Sequence, residues 1–72
     1  MERKEVTSTS IKSVGYDPAT QTLEVEFRPK GRLYHYANVP EKEYTALLNA
    51  PSKGRYFNQH LKDVYPTRRL DK

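Results

Sequence analysis

Two short stretches hold the side chains with most to offer a ligand. The first is RLYHYANVP, residues 32–40, where Tyr34 and Tyr36 alternate around His35 with Arg32 in front. Aromatic rings on an open sheet beside arginines can stack nucleobases, at about 1–3 kcal/mol per base. The second is SKGR, residues 52–55. With Ser52 as a helix cap, Lys53, Gly54 and Arg55 fall in the first turn, where backbone N–H groups have no intrahelical partner. Such an end attracts anions; Lys53 and Arg55 add charge, and Gly54 lets a ligand near the backbone. Cations there run against the helix dipole, a local conflict more often met at functional sites than elsewhere. Asn58 and His60, one helical turn on, could add hydrogen bonds. Arg28, Lys30 and Arg32 form another basic group, and Lys62, Arg68 and Arg69 follow later. If these groups converge in space they make a phosphate-tracking surface.

Each feature also has a plainer reading. The tyrosines can fill a core and keep only their hydroxyls wet. Ser52 can merely cap, Gly54 can fit beneath a strand or the first helix, and the long basic side chains can be solvated.

Catalytic and metal-binding signatures are missing. His35 and His60 are the only histidines and stand far apart in sequence. His60 and Asp63 have helical i, i+3 spacing, which suits a surface contact better than a general base. With no cysteine in the chain, two histidines give too few strong zinc ligands. Glu24 and Glu26 share a strand face, but nothing around them suggests a shifted pKa or a sugar cleft, and there is no glycine-rich phosphate loop. In 72 residues there is little room to surround a substrate. The expectation is no enzyme, no cofactor, no metal and no small-molecule substrate.

The bulk numbers agree with a binding role. Thirteen Lys and Arg against nine Asp and Glu give a net charge of +4, which favours acidic partners. No apolar run approaches the roughly 20 residues needed to cross a bilayer. MERKEVTSTS at the start has charges but no apolar stretch behind them, so it does not read as a secretory signal. Together with the lack of cysteine this points to the cytoplasm.

The elements that must hold these side chains follow from periodicity. SIKSVGY, 10–16, reads as a strand bounded by the turn residues Asp17 and Pro18. TLEVEF, 22–27, alternates cleanly, with Leu23, Val25 and Phe27 on one face and Thr22, Glu24 and Glu26 on the other. RPKGR, 28–32, reads as a hairpin turn and LYHYANV, 33–39, as a third strand. From Pro40 the period lengthens. Glu41 and Glu43 suit a first helical turn, and Tyr44, Leu47 and Leu48 form one stripe. After Asn49, Ala50 and Pro51, a second helix carries Phe57, Leu61 and Val64 until Tyr65 and Pro66 stop it. The expected fold class is therefore α+β: a three-stranded antiparallel meander followed by two helices packed on one sheet face. Residues 1–9 read as a flexible polar lead-in, 10–66 as a single domain and 67–72 as a frayed basic tail.

Hairpin register decides the face of the tyrosines. If Phe27 pairs with Leu33, then Val25 meets His35, and both rings join Glu24 and Glu26. A slip of one residue, or a bulge in the turn, puts them beside Val25 and Phe27 instead. The second arrangement packs better, since the first puts His35 mid-core and leaves two rings bare. Tyr34 and Tyr36 are thus expected in the core, with an exposed edge possible.

Ser10 and Ile11 before SVGYD, then TLEVEF and a glycine turn, YHY, VP, a tyrosine-bearing helix and APSKGRYFNQH stand in one order. In that order the chain resembles the KTSC domain, from about Ser10 to Pro66. This small bacterial module occurs alone and at the C-terminus of some lysyl-tRNA synthetases, and Tyr34 and Tyr36 match its central Y-x-Y. The resemblance implies its fold and, through the attachment to a synthetase, an RNA context. The resulting expectation is a binding module for RNA or tRNA. Its contacts would be Ser52, Lys53, Gly54, Arg55, Asn58, His60, Arg28, Lys30 and Arg32, with Tyr34 or Tyr36 stacking if an edge is exposed. The alternative is a protein-interaction, adaptor or self-associating domain, which would use an apolar patch.

Overall fold

TLEVEF alternates as a strand must when one face is dry and the other wet, and it forms the centre of the sheet. The computed structural model of the chain describes residues 2–28 and 30–70. Met1 of the expected lead-in, Pro29 of the expected turn, and Asp71 and Lys72 of the expected tail lie outside them. The elements are β1 (Arg3–Glu5), β2 (Ile11–Asp17), β3 (Thr22–Phe27), β4 (Arg32–Tyr36), α1 (Glu41–Asn49), α2 (Lys53–His60) and β5 (Thr67–Arg69). The strands form one antiparallel sheet in the order β1-β2-β3-β4-β5.

The α+β class holds, but the sheet has five strands rather than three. Arg3–Glu5 pairs with β2, and Thr67–Arg69 with β4. Both added strands are three residues long and exposed throughout, so neither carries an apolar alternation. Their order comes from the neighbouring strand's free hydrogen-bonding edge. Gly15 marks the place where β1 comes close: a Cβ there would lie 2.5 Å from the Glu2 carbonyl oxygen. A glycine inside a strand is the signal of such an approach.

The observed register is the one that packs. Val25 lies opposite Tyr34 and Leu23 opposite Tyr36, while Glu24 faces His35. A four-residue loop makes this possible, closed by the Gly31 N–H donating to the Phe27 carbonyl at 2.8 Å with Gly31 at φ +68°. In β2 the register shifts between Ile11 and Ser13. This bulge lets Ile11 join Phe27 on the dry face although Ser13, two residues on, belongs to the wet one.

The core joins that dry face to the helices. Ile11, Val14, Leu23, Val25 and Tyr36 pack with Val39, Leu47, Phe57 and Leu61, all buried. Each aliphatic side chain contributes about 1.5–3 kcal/mol relative to exposure. Rings continue the packing, with Phe57 edge-on to Phe27 at 5.2 Å and to Tyr36 at 5.3 Å. The Tyr56 hydroxyl donates to Glu43 at 2.6 Å and ties α2 to α1, which pushes its pKa up to about 12, the hydrogen bond counting for more than burial. The second helix is shorter than its stripe implied. Asp63 takes φ +63° just past it, and Val64 is 59% exposed instead of buried.

The wet face carries an ionic network. Arg3 crosses Gly15 to pair with Glu24; its second nitrogen lies 3.6 Å from Glu26, and its Nε donates to Ser13 at 2.9 Å. Ser13 in turn donates to Glu26, and His35 Nε2 lies 3.1 Å from Glu24. Glu24 is buried beneath these groups. Burial alone would raise its pKa, but hydrogen bonds from His35 and Arg3, with their charges, hold it below the ordinary value, a shift that the sequence alone does not suggest because both partners lie on other strands.

Two predictions follow from this packing. A glutamate whose pKa is lowered by folding stabilises the fold above its unfolded pKa, and the contribution is lost as pH falls through the folded value. Glu24→Gln should therefore cost about 1–2 kcal/mol at neutral pH, with the gap from wild type closing below about pH 4 in urea titrations. Gly15→Ala should cost about 1–3 kcal/mol by crowding β1, whereas an open site would tolerate or favour alanine.

Candidate nucleic-acid interface

The register that places Tyr34 and Phe27 on the helix side also opens a cleft between β4 and α2. Its volume is about 480 Å³, within the range of small-ligand sites. Phe27, Tyr34, Tyr36 and Phe57 supply the aromatic wall. The two tyrosines differ sharply. Tyr36 is only 5% exposed, and its hydroxyl pKa is pushed up to about 12, chiefly by burial, with Tyr34 and Asp63 adding to the effect. It is a core residue. Tyr34 is half-buried, edge-on to Phe27 at 5.5 Å and near-parallel to Tyr36 at 6.4 Å. Arg32 reaches the cleft from β4, Asn58 from α2, and Lys62 and Asp63 from the turn after it. Neither Arg32 nor Lys62 takes an ion pair among the described residues.

The helix start is built for packing more than for charge. Ser52 caps it, accepting from the Arg55 N–H at 3.3 Å. Lys53 turns back, its Nζ donating to the Ala50 carbonyl at 3.1 Å, so that its charge serves the end of α1, which a cation favours. That eases the conflict with the dipole for Lys53, while Arg55 keeps its charge in the first turn of α2. Gly54 sits against Ser10, where a Cβ would lie 2.6 Å from Oγ. The Arg55 side chain stays exposed and takes no ion pair among the described residues.

These groups form one continuous surface. The depression beside Ser52, Lys53, Gly54 and Arg55 shares Ser10 and Asn58 with the cleft. On the other side, Arg28, Lys30 and Arg32 line a smaller depression that shares Phe27 and Arg32 with it. Arg28 is steadied by its Nε donating to the Ser8 carbonyl at 3.1 Å. His60 does not join them, because its ring stacks on Tyr56 at 4.3 Å. Arg68 pairs with His35 and so belongs to the wet face. Phe27, Ser10 and Thr67 line the cleft without having been expected there, as does Asp63, which the sequence offered only as a surface neighbour of His60. Phe27 had a signal, its shared alternation with the tyrosines; the others depend on contacts distant in sequence. Among the described residues no group of three or more His, Cys, Asp or Glu could hold a metal ion, and no helix is long and apolar enough to cross a membrane.

An antiparallel sheet with two helices over one face is a small α+β domain, and comparison with known proteins gives its family. Residues 7–65 match the KTSC domain, and the chain belongs to that family. It is 52% identical over 62 residues to an uncharacterized protein of Stutzerimonas stutzeri (strain A1501), covering 86% of both chains. A lysine–tRNA ligase of Nostoc sp. is 43% identical over 60 residues, covering 83% of this chain but only 10% of that enzyme. The crystal structure of a KTSC domain protein from Yersinia pestis superposes with a TM-score of 0.93 at 38% identity, over 97% of each chain.

If Gly54 is there to accommodate Ser10, removing the hydroxyl should release it. In a Ser10→Ala background, Gly54→Ala should raise stability by about 0.5–1 kcal/mol, the helical preference of alanine. In the wild-type background thermal melting should show a smaller gain or a loss.

Proposed function

We propose that this chain is a non-catalytic RNA-binding module, with tRNA or single-stranded RNA as its ligand. One observation carries the reading: cations from three separate segments border a single aromatic cleft. Arg55 lies on one side, Arg28, Lys30 and Arg32 on the other, and Lys62 at the cleft itself. Cations track phosphates, while a half-exposed ring takes a base, the division of labour common to single-strand binders. The lysine–tRNA ligase relative supports the same context, and with it a cytoplasmic setting. Within this reading Arg55 and the first-turn amides of α2 serve as phosphate contacts, and Tyr34, not Tyr36, is the stacking ring.

The rival role, contact with another protein or a second copy, draws on Val64 and Leu70, which are 59% and 42% exposed. Neither lines the cleft, so the RNA reading accounts for more of the surface.

The test is binding of the purified chain to labelled tRNA and to single-stranded RNA across a salt series. Affinity should fall steeply with salt. Arg32→Ala and Arg55→Ala should each weaken binding and lower the log–log salt slope by about 0.7, as expected for one single-strand phosphate contact. Lys42→Ala on α1, outside this surface, should change neither. Binding that is indifferent to salt and to both arginines would overturn the proposal.

A further inference from the structure

The cleft contains one residue that a phosphate-tracking surface does not explain. Asp63 lines it together with Arg32 and Lys62, close enough to the Tyr36 hydroxyl to oppose its ionisation. Among the described residues its carboxylate takes no hydrogen bond or ion pair. A phosphate would be repelled there. A carboxylate only accepts hydrogen bonds, so whatever faces it must present donors.

We infer that the cleft seats one unpaired guanine, stacked on Tyr34, with its N1–H and N2–H groups on the Asp63 carboxylate and its flanking phosphates at Arg32 and Lys62. This rests on the RNA reading and names what the cleft selects. Guanine is the base whose Watson–Crick edge offers two adjacent donors, matching two carboxylate oxygens. Adenine and cytosine each pair one amino group with a ring nitrogen acceptor, which would face the second oxygen unfavourably. Uracil offers a single N–H between two carbonyls. Base edges splayed from a single strand are read in this way, by stacking plus hydrogen bonds to the Watson–Crick edge. The charges complement one another: cations for the phosphates, and a lone carboxylate for the donor edge.

Asp63 sits at φ +63°, a conformation asparagine also accepts readily. Asp63→Asn thus keeps the backbone while exchanging one acceptor for a donor. The experiment is fluorescence anisotropy of the full chain with labelled oligouridines of about eight nucleotides, unsubstituted or carrying one central guanine, adenine or cytosine. The guanine oligomer should bind about tenfold more tightly than the adenine one, the scale of one good bidentate contact. Asp63→Asn should erase that preference and shift it toward adenine and cytosine, with the melting temperature unchanged. Tyr34→Leu should weaken all the substituted oligomers together. Equal binding of all four oligomers, unmoved by Asp63→Asn, would overturn the guanine site and leave the RNA reading standing. Failure to bind any oligomer or tRNA even at low salt would remove both.

Discussion

In the β3–β4 hairpin Val25 lies opposite Tyr34, and every side chain of β4 takes its face from that pairing. Strand side chains alternate with a period of two, so a slip of one residue would exchange the whole set. Pairing Phe27 with Leu33 would set His35 against Val25 in the core and strand two rings over glutamates. The observed loop closes one residue earlier, with Phe27 opposite Arg32 and Gly31 in the left-handed region. Both faces of the sheet then become consistent at once. Rings meet rings and helices on one side, while His35 meets Glu24 on the other.

That consistency matters because the chain is small. A domain of this size buries only about 60% of the surface its unfolded chain exposes, so the wet face cannot be left idle. Here it is sealed by ions rather than by another layer. Arg3, lying over Gly15, satisfies Glu24, Glu26 and Ser13 together, and no buried side-chain nitrogen or oxygen among the described residues lacks a partner. The same contact recruits β1 to the edge of β2. Three-residue strands rich in Lys and Arg also make poor templates for further pairing, which protects both edges of the sheet from aggregation.

The parts of this design that were legible in the sequence are those governed by local period or local chemistry. Leu23, Val25 and Phe27 announce β3, Ser52 announces the start of α2, and Glu41 and Glu43 the start of α1. The position of the tyrosines could be argued only by weighing two registers, because loop conformation, not composition, chooses between them. β1 and β5 escaped for a related reason. Their residues are exposed and polar, and they are strands only because β2 and β4 offer them partners. Gly15 and the three-residue spacing of Ile11 and Val14 were traces of β1 and of the bulge, readable only once the partner strands are in place. Lys53 and His60 show the same limit on the functional side. Each has a suitable charge or ring for RNA, yet each is engaged by a neighbour, Ala50 or Tyr56, that spacing alone does not single out.

On the proposed reading, the cleft sets a binding surface on a core that a small chain cannot spare. Tyr36 and Phe57 are buried, and Tyr34 stands beside them half-covered, so the ring available to a ligand is braced by rings that hold the fold. Bracing lowers the entropy lost when a ligand settles on Tyr34, since few rotamers remain to be frozen. It also couples stability to recognition: a change at Tyr34 disturbs both, whereas one at Arg32, Lys62 or Asp63, all exposed, need disturb only recognition. On that reading the polar rim is where a substitution alters what is bound without renegotiating the core.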